Sequence, residues 1–130
     1  MDGRRTFGIL LLALVAWTVS IKYLSPLLVA RAEGVPLLTY VQPDAWPLAH
    51  LALAWTLFRP GSMTWTFALV VAVAEVLVVG VKFAVFLSAP VWTPWKANWF
   101  TNKCAVLALF IGMILWLLRS REGAKLKDLH

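Results

Sequence analysis

Charged residues are scarce in this chain of 130 residues, because Asp, Glu, Lys and Arg make up only 14% of it and hydrophobic residues make up 62%. Soluble domains carry about 25% charged and about 45–50% apolar residues. This balance excludes a water-soluble enzyme, a disordered tail and a standard nucleic-acid-binding module. The mean hydropathy of +0.81 predicts an integral membrane protein that has the lipid bilayer as its surroundings and no nucleic acid as a partner.

The chain also lacks the common motifs of bound cofactors and metals. Its one cysteine, Cys104, cannot form a disulfide within the chain. No glycine-rich phosphate loop, HExxH, CxxC, nucleophile elbow or EF-hand is present, which argues against hydrolysis, phosphoryl transfer and bound zinc. His50 is the only histidine inside an apolar run, so no axial pair for a haem is available. We therefore expect no metal and no cofactor.

What is present is a series of four apolar runs separated by short polar connections. Because one crossing takes about 20 apolar residues, 130 residues are enough for about four. The predicted fold is an all-α integral membrane protein, a four-transmembrane-helix bundle with short loops. It forms a single domain over residues 1–130, with approximate spans 6–29, 44–59, 64–88 and 94–118 and a charged tail 119–130.

Two of these runs have unusual features. The first follows Arg4 and Arg5 as a cleaved signal peptide would, but its apolar pattern resumes after Lys22, so we expect a retained helix. Pro26 has no N–H to offer the carbonyl of Lys22, which favours a kink at that level. The second run is short, and at 1.5 Å per residue it reaches about 21 Å of the ~30 Å hydrocarbon core.

The distribution of basic residues predicts the orientation. With four spans, both termini lie on one side, and that side carries seven Lys and Arg residues against three on the other. The positive-inside rule then places both termini in the cytoplasm, and we expect the bacterial inner membrane. The seven are Arg4, Arg5, Arg59, Arg119, Arg121, Lys125 and Lys127, and the three are Arg31, Lys96 and Lys103.

The informative residues are the ionisable ones inside the spans, since each costs roughly 2.5–3.5 kcal/mol at a span centre. Glu75 is nearly central in the third run, and Lys82 follows seven residues later on the same helix face. The two are about 10 Å apart along the axis, so each needs another partner. Intramembrane carboxylates mark proton and ion pathways, and Glu75 is the first candidate for function.

Other polar groups fall at matching depths when each span is measured from its end. Lys22, His50 and Lys82 all lie about 10 Å below the outer boundary. Asn98 and Asn102, four residues apart, share a face of the fourth helix. Together they predict a polar pocket that opens to the outer leaflet, with Glu75 at its floor and Lys22, His50, Lys82 and the two Asn around it.

Each of these residues also has a simpler interpretation. Lys22 and Lys82 can extend to the headgroups, and His50 can be a neutral packing residue. Glu75 can be a protonated structural carboxyl or can pair with a partner subunit, and the two Asn residues can lie on the surface. Trp92, Trp95 and Trp99 fit an interfacial aromatic belt better than a stacking platform for a ligand.

Three functions fit these observations. The first is a small carrier or lipid-handling protein that binds or translocates an anionic or amphipathic small molecule or lipid, acting as a homo-oligomer. The second is a non-catalytic accessory subunit that pairs with partner membrane subunits. The third is an intramembrane enzyme that uses Glu75 and His50 as an acid and base pair on a lipid. It ranks behind both because helical spacing cannot show that these two groups meet.

Overall fold

The computed structural model describes residues 2–41 and 45–129. Within this part of the chain 82% of the residues are helical and no strand occurs, which confirms the all-α class. Three helical stretches are long and apolar enough to cross a membrane, and a fourth apolar helix is shorter. The start of the predicted second span, at residue 44, lies outside the described residues.

The first helical stretch runs over 31 residues, Gly3–Glu33, and consists of α1 (Gly3–Val19), a π-helical turn (Ser20–Leu24) and α2 (Ser25–Glu33). Asp2 caps α1 by accepting a hydrogen bond from the Arg5 N–H, and this bond holds the pKa of Asp2 below its ordinary value. The π turn immediately precedes Pro26. The kink expected near Lys22 therefore takes the form of a widened, π-helical turn. Such turns are common where a proline leaves a helix carbonyl without its N–H partner.

Gly34 ends this first stretch. Its φ of +72° lies in the left-handed region, and its N–H is directed at the carbonyls of Ala30 and Arg31. This is the usual glycine-terminated end of a helix.

The remaining three apolar helices follow in chain order. Helix α3 spans Trp46–Phe58, α4 spans Thr64–Ser88 and α5 spans Pro94–Arg119. Thr93 caps α5, since its hydroxyl accepts a hydrogen bond from the Lys96 N–H at 3.1 Å, and Pro94 occupies the first helical position. With 13 residues, α3 is about 20 Å long.

A short helix, α6 (Arg121–Lys127), follows α5 after a sharp corner at Ser120. The Ser120 hydroxyl accepts a hydrogen bond from the Gly123 N–H at 2.9 Å. A Cβ at position 123 would lie 2.5 Å from the carbonyl oxygens of Trp116 and Leu117, so the corner requires glycine. In this way α6 is held against the end of α5.

Successive long helices run antiparallel. The start of α1 lies beside the end of α5, because the Phe7 and Trp116 rings are 5.2 Å apart. The start of α4 also meets the end of α5, where the Trp65 indole N–H donates to the Leu117 carbonyl at 3.2 Å. We call this end of the bundle, which contains Asp2 and α6, the terminal end, and the opposite end, with residues 88–96, the distal end.

Hydrogen bonds join α1 to α3 and α6 at the terminal end. The Glu122 carboxylate accepts hydrogen bonds from the backbone N–H groups of Gly3 at 2.8 Å and Arg4 at 3.3 Å. The Arg4 guanidinium donates to the carbonyls of Leu57 and Phe58, the last residues of α3. The start of α1 is thereby joined to α3 and α6, and two helix ends gain partners that they lack within their own helices.

Candidate functional site

The structure brings two ionisable side chains from different helices into contact inside the bundle. The Nε2 atom of His50 on α3 lies 2.6 Å from Oε1 of Glu75 on α4. His50 is 4% exposed and Glu75 is 3% exposed. Each group therefore has the partner that a buried polar group requires. We call these two residues the His50–Glu75 pair.

Aromatic rings pack around the imidazole of this pair. The Phe110 ring on α5 lies 5.3 Å from the His50 ring between centroids, and the Trp46 ring lies at 6.2 Å. Phe110 is fully buried. These rings exclude water from one side of the pair and hold the imidazole in place against Glu75.

Among residues 2–41 and 45–129, four buried polar atoms have no hydrogen-bond partner: Oγ1 of Thr18, Nδ1 of His50, Nδ2 of Asn102 and, at the terminal end, Nε1 of Trp116. The first three belong to the buried faces of three different helices. Thr18 is 3% exposed and Asn102 is 2% exposed. Because an unpaired buried polar group costs about 1–3 kcal/mol, such atoms indicate a place where water or a ligand supplies the missing bond.

Five of the six buried polar residues in the described part of the chain lie in one half of the bundle. These five buried polar residues are the His50–Glu75 pair and, on its distal side, Thr18, Asn102 and Lys103. The sixth, Thr64, lies at the start of α4, where its hydroxyl accepts a hydrogen bond from the Gly61 N–H.

Apart from Thr64, the terminal half of the core is apolar in the described part of the chain. Its buried hydrophobic residues include Leu11, Leu14, Leu53, Leu57, Ala68, Val71, Ala72, Met113 and Leu117. The His50–Glu75 pair thus marks the base of a polar half that rests on an apolar half. We call the polar half the distal chamber, defined by Thr18, His50, Glu75, Asn102 and Lys103.

The predicted site residues are distributed between this chamber and the distal surface. His50, Glu75 and Asn102 are buried, whereas Lys22 and Lys82 are half-buried and Asn98 is exposed. Lys22 lies on the π turn and makes an interaction within the chain. The depth expected for His50 was wrong: it lies at the level of Glu75, about 10 Å from Lys82 along α4.

Lys82 lines a groove between the distal parts of α4 and α5. The groove has a volume of about 500 Å³, and its walls include Phe86, Lys96 and Trp99. Lys96 places its ammonium 4.7 Å from the Trp99 ring centroid and 5.7 Å from that of Phe86. We call this feature the α4–α5 groove.

The tryptophans of the predicted aromatic belt belong to the same distal region. Trp92 packs edge-on against Phe86 at 4.9 Å, and Trp99 contacts Phe86 at 5.5 Å. Trp95 is exposed. Phe83 and Phe100 complete the cluster with stacked rings 4.6 Å apart. This aromatic cluster fixes the distal part of α4 against that of α5.

Sequence reasoning missed Lys103 and Phe110 as site residues. Lys103 was counted as a border residue, yet it is buried and interacts within the chain. Its spacing of three to Val106 and seven to Phe110 places it on the buried stripe of α5. That spacing was the available signal.

In residues 2–41 and 45–129, no three His, Cys, Asp or Glu side chains are grouped so that they could hold a metal ion. No protein-family model matches the chain, and comparisons with curated proteins and with solved structures give no significant match.

Proposed function

We propose that this chain is an integral membrane protein that binds or translocates an anionic or amphipathic small molecule or lipid through the distal chamber. In this proposal all four long helices cross the bacterial inner membrane, and both termini face the cytoplasm. Three long apolar helices are compatible with an integral membrane location. The antiparallel packing of α3 with its neighbours and the excess of basic residues at the terminal end support the remaining features.

The proposal rests on the His50–Glu75 pair, which lies at the base of the distal chamber. The chamber also contains buried polar atoms that have no hydrogen-bond partner among the described residues. A membrane protein that needed only stability would gain more from apolar packing at this place. The chamber instead offers a hydroxyl, an amide and an imidazole nitrogen that have no partner among the described residues. These groups can provide hydrogen bonds to a bound polar headgroup.

Hydrogen-bond donors favour an anion in this chamber. The hydroxyl of Thr18 and Nδ2 of Asn102 can both donate to an anionic oxygen, and Lys103 is buried beside Asn102. Hydrogen bonds to a charged acceptor are stronger than those to a neutral one. An anionic probe should therefore bind more tightly than a neutral probe of the same chain length.

A binding measurement tests this proposal directly. The purified protein in dodecyl maltoside micelles is titrated with oleate and dodecyl phosphate, and with dodecanol as the neutral probe, at pH 8.5. Binding is read as an increase of the thermal midpoint in tryptophan fluorescence. We expect dodecyl phosphate to bind about tenfold or more tightly than dodecanol, because a hydrogen bond to a charged group contributes about 1.5–3 kcal/mol.

The matched variants are Glu75→Gln and Glu33→Gln, which make the same chemical change inside the bundle and on the exposed end of α2. We expect Glu75→Gln to change the affinity for the anionic probes several-fold and Glu33→Gln to leave it unchanged. Absence of binding by both anionic probes, or the same affinity in wild type and Glu75→Gln, would contradict the proposal.

The contact between His50 and Glu75 favours a second candidate, the intramembrane enzyme that acts on a lipid. Its requirement that an acid and a base lie within hydrogen-bond distance agrees with the 2.6 Å separation. The burial of both groups makes it the weaker candidate, since the substrate would have to reach them through the chamber. Lipid turnover that vanished in His50→Ala would favour this candidate over simple binding.

The accessory-subunit alternative is supported by the many large apolar side chains on the outside of the bundle, such as Leu48, Trp55 and Leu77. Lipid covers such surfaces as well as a partner subunit does. Purification in a mild detergent separates the two: stoichiometric foreign subunits favour the accessory role, and a homo-oligomer favours the binding protein.

A further inference from the structure

The α4–α5 groove has a composition that the distal chamber does not share. Its floor and walls are apolar or aromatic except for two lysines, Lys82 and Lys96. Val81 and Val85 form its outward part and are both largely exposed. The groove is therefore an apolar channel on the side of the bundle with positive charge along it.

No acidic residue balances these lysines within the segment that builds the groove. From residue 76 to residue 121, the sequence contains neither Asp nor Glu. The ammonium group of Lys96 lies over aromatic faces, which stabilise a cation without neutralising it. An anion is consequently the complementary partner for this groove.

The surroundings of the groove favour a lipid as the source of that anion. Trp92 and Trp95 are exposed beside its distal end, and indole rings prefer the headgroup level of a bilayer. Val81 and Val85 lie on α4 about one to two helical turns before its distal end, at the depth of the acyl chains. A molecule in the groove would thus have its charged group at the headgroup level and an apolar chain beside the valines.

We propose that the α4–α5 groove binds an anionic phospholipid, with Lys82 and Lys96 flanking the phosphate and an acyl chain against Val81 and Val85. This inference rests on the membrane location in the proposed function, but it does not require the His50–Glu75 pair. The lipid site lies on the side of the bundle and is separate from the ligand site of the distal chamber.

Native mass spectrometry of the full chain in detergent micelles tests the lipid site. The probes are phosphatidylglycerol and phosphatidylcholine with identical acyl chains, and glycerol phosphate as the free headgroup anion. We expect wild type to prefer phosphatidylglycerol and to bind glycerol phosphate weakly. The double variant Lys82→Gln/Lys96→Gln should lose about tenfold or more in affinity for phosphatidylglycerol, because each lysine near a headgroup contributes to the attraction.

The control is Arg121→Gln/Lys125→Gln, which removes the same charge from α6 at the terminal end and should keep the preference. Lys82→Arg/Lys96→Arg should also keep it, since the positive charges remain. Near-ultraviolet circular dichroism checks that each variant retains its packing. Equal binding of the two lipids by wild type, or an unchanged preference in the double glutamine variant, would overturn the inference.

Two further outcomes separate this site from other possibilities. Binding of glycerol phosphate as tightly as the lipid would replace the lipid by a free anion and would overturn the proposal. The Glu75→Gln variant should keep the preference for phosphatidylglycerol. If it does so while neither anionic probe binds to wild type in the thermal titration, the proposed function fails and the lipid site stands. If it loses the preference, the separateness of the two sites is contradicted.

Discussion

Replacing His50 with leucine should lower the free energy of unfolding by about 3 kcal/mol, because the variant leaves the buried carboxyl of Glu75 without its partner. Glu75→Leu should cost a similar amount by leaving the imidazole unpaired. The double variant His50→Leu/Glu75→Leu should recover most of the loss, since two apolar side chains can replace a buried pair at little cost. Titration with sodium dodecyl sulfate in mixed micelles measures these free energies.

The exposed pair of Tyr40 and Glu33 provides the control for this cycle. Their side chains form a hydrogen bond on the surface, so Tyr40→Phe should leave the free energy of unfolding unchanged within error. If the losses of the two single leucine variants simply added in the double variant, His50 and Glu75 would act independently, and the site as described would be wrong.

Phe110→Ala should lower the free energy of unfolding by about 3–5 kcal/mol, the usual cost of removing a fully buried phenylalanine. Phe110 is completely buried and packs against the His50 ring. The cavity would also admit water to the His50–Glu75 pair. We therefore expect weaker binding of the anionic probes in the same variant, measured by the thermal titration, together with the loss of stability.

Ile111 is the matched control because it is the next residue of α5 and its side chain is 43% exposed. Ile111→Ala should cost less than about 1 kcal/mol, and Phe110→Leu should cost less than Phe110→Ala because it preserves most of the volume. Equal losses in Phe110→Ala and Ile111→Ala would mean that α5 presents a different face to the core.

The sequence predicted the all-helical class correctly, because apolar runs and several helix ends carry local signals. Thr93 and Pro94 start α5, and Pro90 follows the end of α4, so residues 64–88 and 94–118 could be assigned from caps and breakers alone. Pro26 likewise indicated an irregular turn in the first helical stretch. These signals act within a few residues of the chain and do not depend on how the helices pack.

The site could be predicted only in part, because its geometry depends on how helices are positioned relative to one another. Glu75 and His50 were identified individually as polar groups in apolar runs. For the two side chains to meet, α3 must begin several turns away from the distal end of α4, toward the terminal end. The residue spacing within a single helix carries no information on this shift between two helices. Counting depth from each span's own end therefore placed His50 beside Lys82 and left Lys103 at the border.

The distance between His50 and Glu75 in a lipid bilayer tests the central claim most directly. Solid-state NMR with ¹⁵N-labelled histidine and ¹³C-labelled glutamate, in a His130→Gln background, isolates His50 as the single labelled histidine. We expect a dipolar coupling from Nε2 of His50 to Cδ of Glu75 that corresponds to about 3.5 Å, as a direct hydrogen bond requires. Absence of a coupling within about 6 Å, a separation at which no direct hydrogen bond can form, would contradict the account.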